Sequence, residues 1–278
     1  MHRVLVVAHL TLHEALRRRV LLAALIGGAA FLVLYATGFF FVVRDFSDEP
    51  NMSLVERRVA TTVLTLAGLY AVNLLSVMSA VLLPVDAISG EIASGSIQTL
   101  AAKPVRRGEI VLGKWLAYVV VVAGYLTGMA GGVLLVARTI GGVLPPNVEN
   151  GLPLLLAEVV LLVSISIAGG TRLSTVTNGM AAFGLYGLAF IGHWVEQIGT
   201  YVDNQAARNV GTVASLIMPA EALWQRAAWF MQPTIMRELQ ASPFSPASLP
   251  SAAMVWWALA YTAAAVVFAV RGLTRRGL

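Results

Sequence analysis

The sequence predicts an all-α polytopic membrane protein with six transmembrane helices, and three observations carry the prediction. Only 12% of its 278 residues are charged while 58% are hydrophobic, about half the charge of an ordinary soluble domain. Four runs without a charge are long enough to cross a bilayer: 24 residues between Arg19 and Arg44, 27 between Arg58 and Asp86, 23 between Lys114 and Arg138, and 23 between Arg172 and Glu196. A helix needs about 20 apolar residues to cross the hydrocarbon. The runs are unbroken rather than alternating, which excludes a β-barrel and leaves helices, the form that pairs every backbone group within one segment. The charges between the runs are also unevenly shared, as a fixed orientation requires.

In chain order, residues 1–19 (MHRVLVVAHLTLHEALRRR) read as an interfacial helix, with Val4, Leu5, Ala8, Leu12 and Leu16 on one side and His9, His13 and Arg17 opposite. Such a helix lies in the headgroup plane, where Arg17–Arg19 favour anionic lipid. His9 and His13 lack a third metal ligand, and HEALR puts Arg17 where the zinc-protease pattern needs a second His. The spans follow at about 20–43, 59–85, 115–137, 152–170, 173–195 and 249–270. The first run is too long for a signal-peptide core of about 7–15 residues and reads as an anchor that stays. With no cysteine in the chain, disulfides and thiolate metal sites are excluded.

Placing the N-terminus in the cytosol gives the cytosolic segments 12 of the 19 Lys and Arg residues but four of the 14 acids. The positive-inside rule therefore assigns both termini and the loop at 86–114 to the cytosolic side of a plasma membrane, the inner membrane of a bacterium. The outer segment 196–250 is interrupted by Pro219, Pro233, Pro243, Pro246 and Pro250 and is still apolar in patches. It reads as external or re-entrant helices between spans five and six, with Trp224, Trp229 and Phe230 suited to an outer-interface belt. Asn51-Met52-Ser53 is formally a glycosylation sequon in the first outer loop. Polar groups inside spans are functional candidates, which singles out Asn73, Glu158 and His193 for a translocation path. Glu158 falls near the outer end of span four, where an acid reaching for headgroup water is the competing reading.

The loop Asp86–Lys114 carries seven charged residues and four glycines between two apolar runs. Residues 86–102 read as one amphipathic helix, with Ile88, Ile92, Ile97 and Leu100 along one edge and Glu91, Gly95 and Thr99 along another. Pro104 ends it, and a new helix opens near Gly108 with Glu109 in its first turn. Gly108-Glu-Ile-Val-Leu-Gly113-Lys114 approaches a phosphate-binding loop. However, Trp115 stands where that loop needs Ser or Thr, and a Pro-turn replaces the preceding strand. Gly113 and Lys114 are instead read as packing and snorkelling at the membrane surface. What remains is a cytosolic docking helix, and no nucleic-acid partner is expected.

The residues Asp86, Ile88, Gly90, Glu91, Gly95, Ser96, Ile97, Leu100, Pro104, Val105, Arg107, Ile110, Val111, Gly113 and Lys114 form a pattern that resembles the cytosolic loop of permease subunits of the type-2 ABC export family, and the layout of helices is similar over the whole chain. The resemblance implies a membrane subunit that binds no cofactor itself. It would pair as a homodimer with two copies of a separate ATPase, which would hold ATP and Mg²⁺. In that reading Asp86, Glu91, Gly95, Ser96, Pro104, Arg106 and Arg107 contact the ATPase. Ile92 and Ser96 depart from the usual acidic residue and Thr. The rivals are a secondary transporter or channel, an intramembrane enzyme, and a purely structural membrane subunit. The first wants charge at mid-bilayer, where only Glu158 is a candidate, and the second wants a Gly-x-Ser-Gly within a span, which is lacking.

Overall fold

The computed structural model describes residues 2–49, 52–95, 106–239 and 248–275. Among them the chain is helical throughout: α1 (His2–Leu16), α2 (Arg19–Asp48), α3 (Leu54–Leu82), α4 (Ser89–Ala93), α5 (Arg107–Ile140), α6 (Val148–Gly170), α7 (Thr175–Tyr201), α8 (Gln205–Ile217), α9 (Ala220–Met231), α10 (Thr234–Leu239) and α11 (Ala252–Thr274). Five of these, α2, α3, α5, α6 and α11, are long and apolar enough to cross a membrane. The expected span at 173–195 is the continuous helix α7, in which glycines, Tyr186 and His193 dilute the apolar residues.

Several ends are fixed by local chemistry. Ser53 caps α3: its hydroxyl accepts from the Glu56 amide at 3.2 Å, and the Glu56 carboxylate accepts from the Ser53 amide at 2.7 Å, a reciprocal capping box. The Ser174 hydroxyl caps α7 through the Thr177 amide. Arg106 donates its amide to the Glu109 carboxylate at 2.8 Å, so the acid expected in the first turn of a helix near Gly108 does start α5.

Close approaches give the relative directions of the long helices. A Cβ on Gly28 would meet Met129 and Tyr125, and one on Gly132 would meet Leu32, so α2 and α5 run parallel. The Tyr35 hydroxyl donates to the Leu64 carbonyl, while Phe39 and Thr61 both lie against Gly141, so α3 runs back between them. Asn73 pairs with Glu158 and Ser166 reaches the Val81 carbonyl, which sets α6 parallel to α3. α11 descends on α6 until Gly272 packs against Thr171. The Lys/Arg-rich loops therefore share one end of the bundle, the basic end. The core is a continuous apolar cluster centred on α3, α5 and α6, and α6 is the most enclosed of the membrane-crossing helices.

The segment 196–250 is not a simple loop. α8 folds back along α7, with Ala207 against Gly199 and Ala214 against Gly192. α9 then returns along α6 until Met231 reaches Gly151 and Asn147 donates to the Phe230 carbonyl. The two form a helical hairpin pressed against the bundle. Trp224 is consequently not an interface residue. It is buried with its ring 5.1 Å from that of Tyr70 on α3, while Trp229 and Phe230 are half-buried nearer the hairpin's mouth. Pro243 and Pro246 lie outside the described residues.

The N-terminal helix also differs from expectation. α1 lies on the first turns of α5, and Ala8, Thr11 and Ala15 face the protein while Leu5, Leu10 and Leu16 face outward. Gly113 permits this contact, since a Cβ there would stand 2.6 Å from Val7 and 2.9 Å from the Val4 carbonyl.

Candidate functional site

Residues 83–95 join α3 to the exposed rim of the basic end. The amphipathic helix expected over 86–102 is cut short. α4 spans Ser89–Ala93, its last amides bond back to Gly90 and Ile92, and Gly95 adopts φ +73°. A left-handed residue after the last turn is a glycine helix stop, so Glu91 and Gly95 do not lie on one continuous helix. Ser96, Ile97, Thr99, Leu100 and Pro104 lie outside the described residues.

This short segment is tied to the bundle at several points. Arg18, between α1 and α2, donates to Glu14 at 2.7 Å and to Asp86. Burial works against its charge, but the hydrogen bonds to Glu14 and Asp86 and the nearby carboxylates outweigh it, so its pKa is raised further. Lys114 on α5 reaches Glu91 with Nζ 2.6 Å from Oε1. The Ser89 hydroxyl bonds Thr175 at 2.8 Å and the Val85 carbonyl at 3.0 Å. Asn178 on α7 donates to the carbonyls of Val85 at 3.1 Å and Ser166 at 2.8 Å. Ile88 is buried beneath, and a Cβ on Gly170 would lie 3.7 Å from the Ser89 amide nitrogen.

Two expectations change here. Lys114 does not snorkel: its side chain is 5% exposed and neutralised by Glu91. Glu91 points toward α5 and spends one oxygen on Lys114 rather than projecting outward. Ala93, Ser94 and Arg106 are exposed, and Gly95 and Arg107 are half-buried. Asp86 holds Arg18. Composition gave no sign of Arg18, Ser89 and Thr175 as tethers. Asn178, a lone amide in an apolar run, was the one detectable signal.

A second polar constellation lies inside the bundle. Asn73 on α3 donates to Glu158 on α6 at 3.3 Å, and both side chains are fully buried. Glu158 is therefore not an acid reaching for headgroup water: its side chain is fully buried, paired with α3 on a helix that also packs against α9. Glu221, in the first turn of α9, is buried as well and close enough to be electrostatically coupled to Glu158, Tyr70 and Tyr186. The second carboxyl oxygens of Glu158 and Glu221, the Asn73 carbonyl oxygen and the Ser76 hydroxyl have no partner among the described residues. Burying two acids is costly unless each is hydrogen-bonded or otherwise compensated. Such a set marks a place where two elements meet for reasons other than apolar packing. Glu221 escaped the sequence reading because it lies outside every apolar run. His193 stands apart on α7, half-buried beside Trp194 at a ring distance of 5.9 Å. Among the described residues no group of three or more His, Cys, Asp or Glu side chains could hold a metal ion.

The chain is thus a multi-pass membrane protein whose basic end carries a short, well-anchored helix between its second and third long helices. No curated protein matches the chain at a significant level. The profile described as "ABC-2 family transporter protein" matches residues 5–278, nearly the whole length. The chain belongs to the ABC-2 family of transporter membrane subunits.

Proposed function

We propose that this chain is the membrane half of an ATP-driven exporter, in which two copies form the translocation path and two separate ATPase subunits drive it. The observation that carries the reading is the anchoring of 83–95. A solvated loop has no need of ties to Arg18, Lys114, Thr175 and Asn178. An element that receives a push and passes it on must be rigid and attached to several helices at once. Family membership implies the partner ATPase. The rim of Ala93, Ser94, Gly95, Arg106 and Arg107 is the surface it presses, the family resemblance assigns Ser96 and Pro104 to the same contact, and Asp86 and Glu91 hold the rim in place.

In this reading the basic end faces the cytosol with both termini, and α7 is the fifth of six spans. The hairpin α8–α9 is re-entrant from the outer side. Closure of the ATPase dimer displaces α4, and α3 carries the displacement to Asn73, where Glu158 and the hairpin meet. Asn73 and Glu158 line the joint between bundle and hairpin, and His193 faces the path higher on α7. The ligand-driven step is a population shift between inward- and outward-open states. A secondary transporter or channel is the alternative, with the buried acids as its only supporting feature.

The test is co-purification with the cognate ATPase. Paired Ser94→Glu and Arg106→Glu substitutions on the exposed rim should strip the ATPase from the complex while the membrane subunit stays monodisperse. Full transport in proteoliposomes under an ion gradient without the ATPase would overturn the proposal.

A further inference from the structure

Between α6, α7 and α11, at the basic end, lies an open apolar groove of about 400 Å³. Ala168 of α6 forms its floor, Ala182 and Leu185 of α7 one wall, and Tyr261, Ala265 and Phe268 of α11 the other. α7 and α11 each pack on α6, and the small side chains facing the gap, Ala168, Ala181, Ala182, Ala264 and Ala265, leave it unfilled. Asn178 borders the groove, but its amide is committed to Val85 and Ser166, so the lining presents almost no free polar group. The groove runs from Leu173, at the α6–α7 turn, to Leu185. Those ten or so residues of α7 rise about 15 Å, half of a hydrocarbon core about 30 Å thick. Its length is that of one leaflet.

The mouth is cationic. The Arg172 guanidinium lies 5.6 Å from the ring centre of Phe268, a wall residue. On α11 the wall positions Tyr261, Ala264 and Phe268 continue at helical spacing into Arg271 and Arg275. All three arginines are exposed and none is paired with a carboxylate among the described residues. A guanidinium matches a phosphate through parallel hydrogen bonds, and basic clusters where helices leave the bilayer attract anionic headgroups.

We propose that this groove holds one acyl chain of an anionic phospholipid of the leaflet at the basic end, its phosphate lying among Arg172, Arg271 and Arg275. The groove gives the chain a leaflet-deep slot, and the arginines select the headgroup. A second copy of the protein is a poorer occupant, because three unpaired cations would face it. The inference rests on the reading that α7 crosses the bilayer with the basic end at a leaflet surface.

The experiment uses the full-length protein reconstituted with mixed phosphatidylglycerol and phosphatidylcholine, released into mild detergent and weighed intact by native mass spectrometry. Wild-type protein should retain phosphatidylglycerol in preference to phosphatidylcholine. Arg172→Gln and Arg271→Gln should each weaken that preference about fivefold, the effect of one interfacial cation. Ala265→Phe, which fills the slot, should abolish retention of either lipid. Equal retention of both lipids by wild type, or unchanged retention in Ala265→Phe, overturns the proposal. So does loss of a dimer in Ala265→Phe with lipid retention intact, which would give the groove to a second copy. Because the chain has no cysteine, a Thr274→Cys variant probed with a membrane-impermeant maleimide separates the two readings. Labelling from outside intact cells would refute the cytosolic orientation and leave the lipid result standing.

Discussion

Replacing Glu91 by Gln removes the charge that neutralises Lys114 while keeping an oxygen at the same position. Lys114 is 5% exposed and Glu91 22%, with the two atoms 2.6 Å apart. Breaking a fully buried pair leaves a stranded charge that costs about 3–5 kcal/mol. The partial exposure of Glu91 admits water on one side, so about 2–3 kcal/mol is expected here. For a chain of 278 residues that corresponds to a fall of about 3–5 °C in melting temperature, measurable by thermal unfolding of the detergent-solubilised protein. Glu91→Arg should be worse, since it adds a second cation to the same site. The exchange Glu91→Lys with Lys114→Glu should recover part of the loss, and the cycle of single and double variants isolates the pair from its surroundings. In the reconstituted complex, Glu91→Gln should leave the ATPase bound but loosen the link between hydrolysis and transport, because α4 loses its hold on α5. A melting temperature and coupling ratio unchanged in Glu91→Gln would refute the argument that this pair anchors the segment.

Other contacts give sharper local tests. Gly113→Val should displace α1 from α5, since even a Cβ meets Val7 and the Val4 carbonyl; a loss of about 1–3 kcal/mol is expected, read as faster proteolysis of the N-terminal helix. Ser53→Ala removes one half of the α3 capping box and should lower stability by about 1 kcal/mol, with transport activity retained. Asn178→Ala leaves the half-buried carbonyl of Val85 and the buried one of Ser166 without this donor and should cost about 1–3 kcal/mol, together with a loss of coupling that Asn178→Gln does not fully rescue. Glu158→Ala should release the hairpin, seen as increased protease cleavage within 205–231, whereas Glu158→Gln can keep its contact with Asn73 and should leave the hairpin docked.

The all-helical class, the presence of several long apolar helices, the common basic end and the placement of the short helix between the second and third of them were legible in the sequence. They depend on the length of charge-free runs and on where charges cluster, and both are properties of neighbouring residues. The partners of individual polar side chains were not legible. Glu91 and Lys114 are 23 positions apart, and a snorkelling lysine and a buried, paired one have the same local sequence. Position along the chain puts Glu158 toward one end of an apolar run, and nothing in its local sequence shows that Asn73 and the α8–α9 hairpin enclose it. Trp224 has the composition of an interface belt and the environment of a core.

Local composition is enough to show that this chain crosses a membrane several times and which of its loops bear the positive charge, because the free energy of placing apolar and charged groups in lipid is summed residue by residue. Helix packing is what pairs Glu91 with Lys114 instead of letting it project, and what brings Glu221 to Glu158 inside the bundle. Those outcomes depend on which helices lie side by side, and burial and charge pairing are properties of that neighbourhood.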